Sequence, residues 1–256
     1  MNSGPPIHLK SQQELQTMRQ AGRINAEVLS TVRALIRPGV STADLNAAAE
    51  EVLDRHGCYS PFKGYAQPPY PASICTSVNE ELVHGIPNSK RILREGDIVS
   101  VDSGTVFEGF VADAAFTAAV GDIAETTQRL LDVTKGALDA AIQQMRPGKR
   151  TGDISAAIQG FAESRGLHVT HEYTSHGVGR QMHEPPMVPN FGDAGTGIPL
   201  RPGMTIAIEP MVLVGTNETR VLKDRWTVIS ADKSLTAHFE HTVAVTDGEP
   251  LIMTVP

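Results

Sequence analysis

Asp102 and Asp113 flank a stretch, VSVDSGTVFEGFVAD, that reads as a hairpin with its turn near Glu108-Gly109. A two-residue loop would set Asp102 opposite or diagonal to Asp113, with both side chains on one face of the sheet. Carboxylates that close repel, and one is ordinarily protonated unless a cation lies between them. A metal is the simplest resolution. Two further strand-like segments, TIAIE and FEHTV, carry Glu209 and, as a central carboxylate, Glu240. Asp102 and Glu209 each close a short apolar strand pattern, where an unpaired charge is costly. The chain has two cysteines, Cys58 and Cys75, and no CxxC pair. Any metal would therefore be held by oxygen and nitrogen.

Nitrogen is offered by Thr174-Ser-His176-Gly-Val-Gly-Arg-Gln-Met-His183-Glu-Pro-Pro and by Val83-His84-Gly-Ile-Pro. Small neighbours around His176 suit a sharp turn with room beside the imidazole. His183, ahead of two prolines, reads as extended, and His84 as part of a turn. A lone histidine is more often structural, but three in glycine-rich apolar turns point to a site. Other chemistries fail on spacing. His171-Glu172 has Ser175 where HExxH needs its second histidine, and His183-Glu184 runs into Pro185-Pro186. Gly177-Val-Gly179 is too short for a dinucleotide loop, and no GxSxG nucleophile motif is present.

The elements that must position these groups are legible through duplication. Arg37-Pro-Gly-x-x-Thr42-x-Asp44-Leu45-x-Ala-Ala, running on to Gly57, recurs as Arg146-Pro-Gly-x-x-Thr151-x-Asp153-Ile154-x-Ala-Ala, running on to Gly166. Leu93-Arg-Glu-Gly-Asp-Ile-Val-Ser-Val-Asp102 recurs as Leu200-Arg-Pro-Gly-Met-Thr-Ile-Ala-Ile-Glu209. The first segment of each copy predicts a Pro-Gly turn, a Ser or Thr cap and an Ala-rich helix stopped by glycine. The second predicts a turn and a strand. A capping box at Ser11-Gln-Gln-Glu14 predicts another helix, and a further one is expected over about 125–145. The implied class is α/β (α+β): a duplicated unit with helices outside and two antiparallel sheet halves meeting across a pseudo-twofold axis. No linker separates the copies. A short tail over 1–10 would precede one domain over 11–256, with internal repeats near 37–113 and 146–240.

The ordered set VHGIP, VDSG, VAD, SHGVGRQMHEPP, AIEPM and FEHTVAV resembles the methionine aminopeptidases of type I, over nearly the whole chain. The resemblance implies the pita-bread (creatinase/aminopeptidase) fold, in agreement with the repeat. It implies two divalent ions, of Co, Mn, Fe or Zn, held by Asp102, Asp113, His176, Glu209 and Glu240, with Asp113 and Glu240 shared between them. It implies a water or hydroxide between the ions as nucleophile, Glu209 as proton shuttle, and His183 assisting at the scissile carbonyl. His84 would lie near the substrate amine. Tyr70, Cys75, Trp226 and Tyr65 would line the methionine pocket, and Met182 departs from the aromatic residue many relatives carry there. The substrates implied are nascent polypeptides beginning with Met, with possible ribosome contact, and the chain would act as a monomer.

Three other readings remain. Xaa-Pro aminopeptidases share the metal pattern but generally add a large N-terminal domain. Type II methionine aminopeptidases carry a long insertion between the equivalents of His176 and Glu209. A non-catalytic peptide- or ribosome-binding relative usually loses ligands that are intact here. The lack of a cysteine-rich zinc extension suggests a bacterial or organellar-like form. Among 256 residues, 40% are apolar and 20% charged, with a net charge of −7 and the 22 basic residues scattered. That excludes a stripe following a phosphate backbone, so nucleic acid is not an expected substrate. No secretory pattern or membrane-length apolar run is present, and a cytoplasmic location is expected.

Overall fold

The capping box at Ser11 opens helix α1 (Gln12–Leu35). The Ser11 hydroxyl accepts the Glu14 N–H, and Glu14 accepts the Ser11 N–H at 2.9 Å. The computed structural model describes residues 6–256, so residues 1–5 of the expected tail lie outside the described residues. Ser41 and Asp44 repeat the box for α2 (Thr42–Arg55). Then follow β1 (Ile74–Val78), β2 (Glu81–Val83), β3 (Ile98–Phe107), β4 (Phe110–Ala119), α3 (Glu125–Ile142) and α4 (Thr151–Glu163). The second half continues with β5 (His168–Val169), β6 (Thr174–Gly177), β7 (Glu184–Pro189), β8 (Thr205–Ile208) and β9 (Met211–Leu213). It ends with β10 (Thr219–Val221), β11 (Val228–Ser230), β12 (Thr236–His238), β13 (Glu240–Ala244) and β14 (Leu251–Ile252).

The expected Ser/Thr cap holds for α2 and fails for α4. There Arg150 occupies the cap position and Thr151 is the first helical residue. The Thr151 hydroxyl is engaged by the N–H of Ile198 at 3.0 Å, and only the Asp153 half of the box forms, accepting the Arg150 N–H at 2.8 Å. After both helices the chain reverses at a left-handed glycine, Gly57 (φ 62) and Gly166 (φ 74).

The main sheet runs β1-β3-β4-β13-β8-β6-β7, with β14 also paired to β13 and every pairing antiparallel. Its centre is the β4·β13 seam, flanked by β3 and β1 on one side and by β8 and β6 on the other. The two sides are the two sequence copies, so the duplication became a pseudo-twofold axis at that seam. The core divides accordingly. Ile24, Val28, Leu45 and Val52 of α1 and α2 pack on Ile74, Val99 and Val101, while Leu130, Leu138, Ile154 and Ile158 of α3 and α4 pack on Ile206, Ile208 and Val243. Phe239, at the junction of the halves, touches both clusters. This is one α/β fold with a shared sheet.

Three local expectations are revised. Asp102 lies inside β3, which runs on to Phe107, because the β3–β4 hairpin extends past it. Glu240 opens β13 instead of sitting at its centre, because the chain breaks from β12 at Phe239. His176 is a residue of strand β6 and not of a turn. Its neighbour Gly177 is required by close approach: a Cβ there would stand 2.3 Å from the carbonyl oxygen of Pro185.

Candidate metal centre and active site

The β3–β4 hairpin closes with the two-residue turn Glu108-Gly109, both at positive φ (47° and 77°), between paired Phe107 and Phe110. Asp113 then faces Gly104 while Asp102 faces Ala115, so the two carboxylates are diagonal neighbours on one face. From the other half, Glu209 follows β8, its N–H donating to Ser175 Oγ at 2.9 Å, and Glu240 pairs with Ala115 across the seam. Thr242 stitches that seam, accepting the Asp113 N–H at 2.9 Å and donating to the Asp113 carbonyl at 2.8 Å. His176 Nε2 lies 3.4 Å from Glu209 Oε1 and 3.8 Å from Asp113 Oδ2. Donor atoms of Asp113, His176 and Glu240 lie within 4.8 Å of one another, as do those of Glu209, His238 and Glu240. Asp113, His176, Glu209 and Glu240 are in these groups, and Asp102 lies beside Asp113 and lines the same cavity.

Burial raises the pKa of all four carboxyls, and the charge of Asp102 pushes Asp113, Glu209 and Glu240 up further. Burial holds His176 down to about 3, so its imidazole is neutral. The His176 Nδ1–H donates to the Gly177 carbonyl at 2.9 Å, leaving the Nε2 lone pair aimed at the acids, as a metal-binding imidazole requires. Asp102 Oδ1, Asp113 Oδ1, Glu240 Oε1 and His238 Nε2 are buried with no hydrogen-bond partner. Buried orphan acceptors cost free energy unless a cation satisfies them. Crowded oxygens with neutral imidazole form a donor set that fits divalent ions.

Above the cage lies a cavity of about 270 Å³. One wall is apolar, built from Phe62, Tyr70, Cys75, Met182 and Trp226, with the Tyr70 and Trp226 rings edge to face at 5.1 Å. The Tyr70 hydroxyl is spent on the Gly85 carbonyl at 2.8 Å, so its ring presents an apolar face. His84, at positive φ (60°) just past β2, stands edge-on to Tyr173 and Trp226 at 5.8 and 6.2 Å. Burial lowers it to about 4. His183 sits at the rim with its ring 4.3 Å from that of His176, and desolvation lowers its pKa too. Its Nδ1 is 2.6 Å from the hydroxyl of Tyr65. Tyr65 lines the cavity and also braces His183.

Several residues of the site were not among those expected from the sequence. Phe62, Tyr173 and Met187 line the cavity, and only the fold brings these distant segments together. His238 was detectable: it stands two residues before Glu240, the strand period that shares a face. Its Nε2 lies 3.6 Å from Glu209 Oε2 and 3.8 Å from Glu240 Oε2.

The model of metallopeptidase family M24 matches residues 16–247. The methionine aminopeptidase of Clostridium acetobutylicum is 46% identical over 97% of this chain and 99% of its own length. Methionine aminopeptidase 1 of Bacillus subtilis is 44% identical over 94% and 96%. A crystal structure of methionine aminopeptidase from Thermotoga maritima superposes with a TM-score of 0.96 at 43% identity, covering 98% of this chain and 100% of that one. A prolidase from Pyrococcus furiosus, at 20% identity and a TM-score of 0.78 over 97% of this chain and 65% of its own, shares the fold alone. A carboxylate cage on a duplicated sheet and near full-length relatives agree: the chain belongs to the methionine aminopeptidases of metallopeptidase family M24.

Proposed function

We propose that this protein is a two-metal aminopeptidase that hydrolyses the initiator methionine from the N-terminus of nascent polypeptides. One observation carries it: a cavity of about 270 Å³ with one apolar wall ends directly on the acidic cage. Asp102, Asp113, His176, Glu209 and Glu240 would hold two divalent ions of the Co, Mn, Fe or Zn type, with Asp113 and Glu240 shared. Ions bound there supply Lewis acidity that polarises the scissile carbonyl and acidifies water near neutral pH.

The chain's own groups account for the rest. Glu209, whose buried carboxyl is held above the usual carboxylate range, accepts a proton at its carboxylate and returns it to the leaving amine. With the Tyr65 hydroxyl donating to Nδ1, the proton of neutral His183 sits on Nε2, the tautomer that donates to a developing oxyanion. His84, which lines the same cavity, would receive the free amine. Tyr70, Cys75 and Trp226, with Phe62, surround the thioether, for which aromatic edges and sulfur are suited partners. The catalytic unit is the single domain from residue 11 onward, acting as a monomer on chains leaving the ribosome. No described helix is long and apolar enough to cross a membrane.

The protein reconstituted with each candidate ion should release free Met from Met-Ala-Ser and leave an Ala-Pro-type peptide intact. Cleavage of the proline peptide instead would favour the Xaa-Pro reading. No cleavage with any divalent ion would sink both.

A further inference from the structure

His238 lies outside the five-residue ligand set, yet it is built into the same cage. It is 1% exposed, and its Nε2 is buried without a hydrogen-bond partner. The backbone on either side of its ring is fixed: its N–H donates to Thr117 Oγ1 at 2.9 Å, and Thr117 Oγ1 donates to its carbonyl at 2.8 Å. The backbone that carries the ring is therefore anchored, and the ring itself is buried. Its Nε2 stands 3.6 and 3.8 Å from carboxylate oxygens of Glu209 and Glu240. His176 stands 3.4 and 3.8 Å from its own pair, Glu209 and Asp113. Such separations exceed a good hydrogen bond and match donors arranged around one cation. Glu209 consequently presents one oxygen to each imidazole.

The duplication gives an independent reason. In the first half Asp102 faces Ala115, and in the second His241 faces Ile208, a register that continues to set Glu240 opposite Glu209. Two residues back in sequence stand Asp113, in β4 opposite Gly104, and His238, which ends β12 and keeps the same register across the break at Phe239 by pairing with Met211 of β9. His238 thus occupies the repeat position that Asp113, an expected ligand, holds in the other half.

We propose that His238 is a sixth protein donor to the metal centre, binding through Nε2 beside Glu209 and Glu240. This rests on the metal-dependent reading above. A second imidazole biases the centre toward borderline ions such as Co and Zn over Mn.

The test is X-ray absorption on Co-loaded, full-length protein, with calorimetric titration of Co and Mn into the metal-free form. Wild type should show two imidazoles per chain and His238→Ala one, with Co affinity falling at least about tenfold and Mn affinity falling less. His238→Gln, which keeps a polar side chain of similar reach, should also show one imidazole and covers the case that the alanine variant does not fold. Metal-loaded wild type with a single imidazole, or variants with wild-type Co affinity, would overturn the assignment and leave the proposed function standing. Wild type that binds neither ion would overturn both.

Discussion

Tyr65 and His183 show how much of this site is set by single hydrogen bonds. The 2.6 Å contact orients a rim imidazole that is otherwise solvent-facing, and with the hydroxyl as donor it also keeps the ring proton on Nε2. Replacing Tyr65 by Phe should lower kcat/KM by roughly three- to tenfold, the scale of one hydrogen bond of ~1 kcal/mol. Melting temperature and metal content should stay at wild-type values; a parallel loss of metal would show that Tyr65 acts on the cage and not on His183. Within the cage itself the two kinds of residue should separate. Asp113→Asn removes a carboxylate charge among buried acids and should lose both metal, by elemental analysis, and Met release. His183→Ala should retain its metal while the rate falls roughly 10²-fold or more, the range for a positioned proton donor. Full activity and metal content in the Asp113 variant would contradict its role as a ligand.

The β6–β7 hairpin carries His176 on one strand and His183 just before the other, so its anchoring decides the geometry of both. Glu184, the first residue of β7, is clamped by Lys10 at 2.7 Å and by the Gln181 N–H at 3.1 Å, with the Lys10 side chain 2% exposed. Burial alone would raise the Glu184 pKa, but these contacts outweigh it and hold it below the usual value. A lowered carboxyl pKa contributes stability above the unfolded value of about 4.3, and that contribution is lost as pH falls through the folded value. Lys10→Met, which leaves a covered carboxylate unpaired, should cost roughly 3–5 kcal/mol near pH 7. Thermal melts should show the gap to wild type narrowing below about pH 4.3, as Glu184 becomes neutral. A gap that widens in acid would refute the ion pair as its source.

At the scale of the molecule, the acids sit across the seam between the two halves, so their mutual repulsion works against the joining of those halves. Ions bound there bind the folded state and should stabilise it by about 2.7 kcal/mol at a hundredfold excess over Kd. Chelated and reloaded protein should therefore differ by roughly 2–4 °C in Tm per kcal/mol, and Asp113→Asn should not respond. An unchanged melt on loading would remove the cage from the stability account. The repeat segments were sufficient to determine a duplicated α/β unit, its helices, and the equivalence of Asp102 and Glu209, because Pro-Gly turns, glycine stops and strand alternation are local chemistry. The two-residue turn at Glu108-Gly109 likewise placed Asp113 beside Asp102. Only the tertiary structure decided what crossed between the halves. His176 falls opposite Ala207, where the first half has Ser77 opposite Ser100, so the repeat itself carried no sign of a histidine there. Phe62 and Tyr173 in the cavity wall depend on sheet order. Those contacts join residues far apart in the chain, and nothing in a local pattern specifies which distant strand a side chain will meet.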